Sequence, residues 1–127
     1  MAERRPFAYA VLRVVPRVER GERLNAGVVL FCRQAGFLEL RAALDEARLA
    51  ALAPGTDPAP VRDRLAAIAA VVAGDPAGGA LARLPPSERF GWLVAPSSTV
   101  IQPSEVHTGL TDDPAATLDR LYAQLVA

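Results

Sequence analysis

The sequence contains no lysine, one cysteine and one histidine. Without lysine the chain cannot use a Schiff-base lysine or a lysine-dependent phosphate-binding loop. The single cysteine, Cys32, excludes an intrachain disulfide, which is typical of a protein from a reducing compartment such as the cytoplasm. Because zinc sites usually combine several Cys and His side chains, one Cys and one His predict no metal site, and nothing in the sequence predicts a cofactor.

A surplus of charge and a long apolar run are also missing. The 14 basic and 14 acidic residues give a formal net charge of zero, so no global field attracts nucleic acid or an anionic membrane. No run of about 18 apolar residues occurs, which predicts that no segment spans a membrane. With 51% hydrophobic residues in a chain of 127, we expect one folded domain over residues 1–127.

Three segments predict β-strands. The first, FAYAVLRVV (residues 7–15), is rich in aromatic and β-branched residues and is apolar on both faces, so it is expected at the centre of a sheet. The second, AGVVLFCR (26–33), and the third, FLELRA (37–42), are separated by the short turn Gln34–Gly36, which predicts a hairpin. Further on, SSTVIQPSEVHTGL predicts two short edge segments, because Pro103 cannot donate to a ladder.

Helices are predicted between and after the strands. A short helix in LDEARLAALAPG precedes a longer one that Asp57 caps and that runs from Pro58 to Gly74. The segment SERFGWLV predicts one or two turns, packed by Phe90, Trp92 and Leu93. Asp113 is predicted to cap the last helix. Its buried stripe comprises Leu118, Leu121, Tyr122 and Leu125. The pattern predicts an α+β fold: a small, mainly antiparallel sheet with helices packed mostly on one face.

Two long blocks carry a family resemblance. The segments YAVLRVVP…RGERLNAGVVLF and RFGWLVAPSSTVIQPSEVHTGLTDDP resemble the bacterial family catalogued as domain of unknown function 3037, from Tyr9 through the last helix. The resemblance implies no activity and no catalytic residues. Members lie beside HipA-like kinases in some genomes, which implies a kinase of that class as a possible partner. Relatives often carry arginine where this chain has Ser97.

Several side chains offer candidate chemistry, each with a structural alternative. Cys32 and His107 form a conceivable nucleophile–base pair, but a cysteine in an apolar strand usually acts as a small hydrophobe. Asp112 and Asp113 could hold a cation, although helix capping explains their placement better. Hydroxyl groups around His107 lack the Gly-x-Ser-x-Gly context of a hydrolase nucleophile and more often bond to nearby backbone.

Arginines at the first two strands suggest anion recognition, because a guanidinium offers a planar fork to carboxylate or phosphate. Arg13 interrupts an otherwise apolar strand. The alternative for Arg13 is a salt bridge to Glu22 or Glu39, or a stem that packs while the charge reaches water.

Two polar blocks stand out in this apolar chain: GERLN before the second strand and the segment Ser98–Thr108. If pairing begins by Leu24, Arg23, Asn25 and Gly27 lie on one side of the strand, and we expect both blocks to meet at one rim. The candidate ligand-binding residues are Arg13, Arg23, Asn25, Ser98, Thr99, Gln102 and His107. The alternative is a purely structural polar cluster that joins two chain segments.

Together these features predict a bacterial cytoplasmic binding or adaptor module that is not an enzyme and acts through a protein partner, with homo-oligomerisation also open. The alternative is a small enzyme or sensor that binds an anionic small molecule through Arg23, Asn25 and His107. A deep pocket between the polar blocks favours the second function, and an exposed apolar surface favours the first.

Overall fold

One antiparallel sheet organises the chain. The computed structural model describes residues 3–97 and 99–127. The strands are β1 Arg5–Val14, β2 Leu24–Cys32, β3 Phe37–Ala42, β4 Ile101–Pro103 and β5 His107–Thr111. Their order is β3-β2-β1, with β4 and β5 following one another along the other edge of β1. The central position predicted for the first strand is therefore confirmed, as are the bounds of the third.

Four α-helices cover the sheet. They are α1 Glu46–Leu52, α2 Ala59–Ala73, α3 Pro86–Leu93 and α4 Pro114–Leu125. The first three pack on one face, in a core with Ala10, Leu12 and Val14 of β1, whereas α4 alone packs on the other face with Val28 and Leu30 of β2. The α+β class with helices mostly on one face is confirmed. The small side chains of β1 allow the three-helix layer to lie close to the sheet.

Helix termini follow the local sequence signals. The Asp113 carboxylate accepts a hydrogen bond from the amide of Ala116, and Pro114 opens α4 as predicted. Asp57 accepts from the amide of Ala59, at the start of α2. The buried stripe of α4 is largely confirmed, since Leu118 and Leu121 are buried, whereas Tyr122 and Leu125 are only half-buried.

Among the described residues, no single helix is long and apolar enough to cross a bilayer, although the bent pair Ala59–Ala73 and Pro76–Arg83 passes on length and composition alone. The second member of that pair is a 3-10 segment with non-helical backbone angles at Gly79.

Candidate functional site

The polar entrance to β2 contains a β-bulge. Arg13 pairs with Asn25, but its neighbour Leu12 pairs with Gly27, so Ala26 is the extra residue. Because a one-residue shift reverses the side-chain face, Asn25 points towards α4 and Gly27 towards the opposite face. The prediction that Arg23, Asn25 and Gly27 share one side was therefore wrong for Asn25 and Gly27.

Gly27 is explained by the close approach of β3. A Cβ atom at this position would lie 3.0 Å from the Cβ of Ala42 and 3.1 Å from the carbonyl oxygen of Arg41. Both are tight contacts, and the second is with backbone that cannot rotate away. The glycine therefore lets the backbone of β3 come close, which is a common reason for a glycine inside a strand.

Asn25 joins β2 to the end of the chain. Its side-chain nitrogen donates to the carbonyl oxygen of Leu125, in the last turn of α4, over 2.9 Å. That carbonyl belongs to a helix terminus, whose last carbonyls have no partner within the helix. Asn25 therefore makes the kind of contact expected of a structural polar cluster, but to α4 and not to the second polar block.

Arg13 occupies the middle of a row across three strands. It lies opposite Asn25 on β2 and opposite Gln102 on β4. Its Nε atom is buried and has no hydrogen-bond partner among the described residues. Neither expected carboxylate pairs with it, because Glu22 binds Arg20 at 2.6 Å and Glu39 binds Arg41 at 3.5 Å.

The first part of the second polar block, up to Gln102, satisfies its described polar groups locally. The Ser97 and Thr99 hydroxyls are 2.9 Å apart, and Thr99 donates to the carbonyl of Ile101 over 2.8 Å. The Gln102 side chain donates to the carbonyl of Thr99 over 3.0 Å. Ser98 lies outside the described residues. The two blocks are therefore near each other in the sheet, through Gln102 and Arg13, but these polar groups are not partners of the first block.

His107 lies farther along the sheet. It is opposite Tyr9 on β1, and the two rings pack against each other in a tilted arrangement, with centroids 5.2 Å apart and an angle of 34° between the ring planes. The step from Arg13 back to Tyr9 is four residues, about 13 Å of strand. Glu105 is the nearest carboxylate, at 4.0 Å, in a weak exposed contact. His107 and Asn25 therefore do not share one rim.

The loop before β2 is a solvated connection. Arg20 donates to Glu22 over 2.6 Å, and this hydrogen bond lowers the pKa of the Glu22 carboxyl. Both side chains are largely exposed, so the pair contributes little to stability. Arg23 is exposed and immediately precedes β2.

The remaining nucleophile candidates have structural roles. Cys32 is fully buried in the core that α4 covers, far from the solvent that a reactive thiol needs. The Ser104 hydroxyl accepts from the amide of Val11 and donates to the carbonyl of Glu105, each over 2.9 Å. Ser104 thus continues the hydrogen bonding to β1 across the irregular segment between β4 and β5.

An exposed groove on the three-helix face was not predicted. Two adjoining hollows of about 190 and 140 Å³ share Arg64, Ile68 and Trp92 as lining residues, and the larger extends to Pro103 of β4. Trp92 was expected to pack in the core, yet 42% of it is exposed. The buried residues of α3 are Phe90 and Leu93, which lie three residues apart on one face of the helix. Trp92 does not share that face, so the helical period of the sequence could have indicated that it points outwards. We call these two hollows the Trp92 groove.

Comparisons with known proteins bear on the family alone. Neither the curated proteins nor the solved structures yield a match to this chain. The family described as "Protein of unknown function (DUF3037)" matches residues 9–126, nearly the whole chain. Both blocks that carried the resemblance lie within that range. The chain therefore belongs to the DUF3037 family.

Proposed function

We propose that this protein is a non-enzymatic protein-binding module and that the Trp92 groove is its docking site. The observation that carries the proposal is the exposed indole of Trp92, which lies with the Arg64 side chain between two adjoining hollows. Tryptophan and arginine are enriched among the residues that dominate protein–protein binding energy. The exposed ring of Trp92 beside Arg64 therefore offers a partner the two side-chain types that contribute most to such binding.

The division of the groove into two small hollows favours side chains over a small-molecule substrate. Pockets for small molecules usually enclose roughly 300–1,000 Å³ in one cavity, whereas each of these two hollows is below that range, at about 190 and 140 Å³, and is open to solvent. Each fits one or two apolar side chains of a partner. The residues that line both hollows, Arg64, Ile68 and Trp92, would contact the partner side chains in each.

Charge defines the partner further. Arg64 is exposed on α2 and forms no ion pair or hydrogen bond within the described part of the chain, so its guanidinium is available to a carboxylate. The proposed occupant is a short segment of another protein with an apolar side chain next to an aspartate or glutamate. A HipA-like kinase, suggested by the family resemblance, is the partner that we propose, in the bacterial cytoplasm.

The alternative function, a sensor or enzyme for an anionic small molecule, has less support. It requires Arg23, Asn25 and His107 to converge on one ligand. The side-chain amide of Asn25 already donates to the carbonyl of Leu125. Asn25 lies opposite Arg13 of β1 and His107 opposite Tyr9, positions about 13 Å apart along the strand.

The proposal is tested by selecting peptides from a random library displayed on phage. We expect enrichment of peptides with an aromatic or large aliphatic residue next to Asp or Glu. Trp92 is the only tryptophan, so its fluorescence should change when a synthetic enriched peptide, or a purified HipA-like kinase from the same genome, is added. Both Trp92→Ala and Arg64→Glu should abolish the enrichment.

Val18→Ala is the matched control, because Val18 is also an exposed apolar residue but lies in the loop between β1 and β2. It should leave selection unchanged. If the selection enriches no common pattern, or if the same peptides are selected by Trp92→Ala, the groove is not a docking site.

A further inference from the structure

The outer edge of β5 lacks the usual protection of an edge strand. The stretch Val106–Thr111 contains no proline and no Asp, Glu, Lys or Arg. Leu110 is 58% exposed and Val106 42% exposed. Natural proteins usually protect a free edge with charges, proline or a bulge, because its unpaired backbone groups are a template for another strand.

Hydrogen bonding along β1 shows which β5 groups face outwards. The amide of Val15 donates to the carbonyl of Val100, and the carbonyl of Val11 accepts from the amide of Ser104. The backbone N–H and C=O groups of the odd-numbered β1 residues therefore point towards β4 and β5. Hydrogen-bonded and non-bonded pairs alternate in an antiparallel ladder. Pro6, which has no N–H, is opposite Leu110 and belongs to the non-bonded set.

The same alternation makes the Ala8–Thr108 pair non-bonded. Thr108 and Leu110 therefore direct their N–H and C=O groups away from β1, towards the open edge. If the strand geometry continues, Val106 does the same. A second strand could add there without disturbing any bond to β1.

The opposite edge of the sheet is different. On β3, the exposed Glu39 and the neighbouring Arg41 carry opposite charges, and Arg41 also binds Asp119 of α4 over 3.1 Å. An incoming strand would have to accommodate these charges and the helix beside them. Of the β3 and β5 edges, the β5 edge is the one that combines outward backbone groups with exposed apolar side chains.

We propose that the β5 edge pairs with the β5 edge of a second copy, antiparallel about a two-fold axis at Thr108, so that two five-stranded sheets become one continuous sheet. With this axis Thr108 meets its own counterpart, and Val106 meets Leu110 of the second copy. Both are bonded positions of the new ladder. Thr–Thr and aliphatic pairs directly opposite each other stabilise antiparallel sheets.

The sequence around Thr108 favours a second copy as the occupant. His107 would lie opposite Gly109 of the second copy, which has no side chain to obstruct it. The acidic residues at the ends, Glu105 and Asp112, would meet the hydroxyl residues Thr111 and Ser104 and not another acid. Because the net charge of the chain is zero, two copies do not repel each other at long range.

The pairing is tested by analytical ultracentrifugation of the full chain over a range from micromolar to hundreds of micromolar. We expect a species of twice the chain mass, and Leu110→Lys should return it to the mass of one chain, because Leu110 is exposed and lysine is a natural edge protector. Val18→Lys, an exposed apolar-to-lysine change outside the edge, should leave the dimer intact.

Amide hydrogen exchange identifies the edge that is used. In the dimer, the amides of Thr108 and Leu110 should be protected from exchange. Thr108 is unchanged in the Leu110→Lys monomer, so its amide should exchange more slowly in the wild-type dimer than in that variant. A wild-type chain that stays monomeric at every concentration overturns the proposal. A dimer that survives Leu110→Lys, or one without protection at Thr108, overturns it equally. None of these results depends on the Trp92 groove.

Discussion

The side-chain amide of Asn25 donates a hydrogen bond to the carbonyl oxygen of Leu125, 2.9 Å away and 100 residues later in the chain. It connects the bulged start of β2 with the last turn of α4. The contact is partly buried, and the carbonyl has no helical partner of its own because it lies at a helix terminus. The polar entrance to β2 therefore holds the C-terminal helix against the sheet.

Asn25→Ala should lower the free energy of unfolding by about 1–3 kcal/mol, because it leaves a partly buried carbonyl without its donor. Urea denaturation measures the loss. Arg23→Ala is the control: Arg23 is exposed two residues away, and its removal should change stability by less than about 0.5 kcal/mol. Equal stability for Asn25→Ala and wild type would contradict the structural role.

Arg89 holds the carboxyl end of α2. Its guanidinium donates to the carbonyls of Val71 and Val72 over 3.0 and 2.7 Å, and to that of Leu84 over 3.0 Å. A cation at this end also complements the helix dipole. Arg89→Ala should therefore cost about 1.5–3 kcal/mol of unfolding free energy.

Arg89→Lys should recover only part of that stability, because a single ammonium group cannot reproduce the geometry of the guanidinium fork. Arg83→Ala, which removes an exposed arginine from the preceding segment, is the matched control and should have little effect in the same denaturation experiment. Full stability in Arg89→Ala would mean that water replaces these hydrogen bonds without cost.

Leu118 is completely buried between α4 and the sheet. Leu118→Ala should cost about 2–5 kcal/mol, since it removes apolar contacts and leaves a cavity. Gln124→Ala, an exposed change on the same helix, is the control for helix propensity. A loss below about 0.5 kcal/mol for Leu118→Ala would identify α4 as a detachable segment and not as part of the core.

Local signals predicted much of the fold. Two apolar faces correctly indicated that β1 is central, and the Asp113–Pro114 pair correctly located the start of α4. In both cases the deciding interaction is set by residues close in sequence: strand alternation for β1 and side-chain capping for α4. The bounds of β3 follow for the same reason, because the turn before it is short.

The candidate site was predicted less well because its geometry depends on distant residues. The bulge at Ala26 reverses the side-chain faces, and no apolar period reveals a single extra residue. Nothing near Asn25 in sequence indicates that its partner is Leu125. Arg89 was missed for the same reason, since its acceptors on α2 are 17 and 18 residues away.

Gly109 on β5 lies directly over Phe7, and a Cβ atom at this position would be 2.8 Å from two carbons of the ring. Phe7 is buried, so the ring has little room to move. Gly109→Ala should therefore destabilise the protein by about 1–3 kcal/mol through overpacking.

A double-mutant cycle separates this clash from the backbone preferences of glycine. Phe7→Leu alone should also destabilise the core, but in the double variant it removes the ring that the new methyl group meets. The two losses should then sum to more than the loss measured for the double variant, with a coupling of about 0.5–3 kcal/mol in chemical denaturation. Additive losses would show that Gly109 is required for another reason and that Phe7 does not limit the side chain at this position.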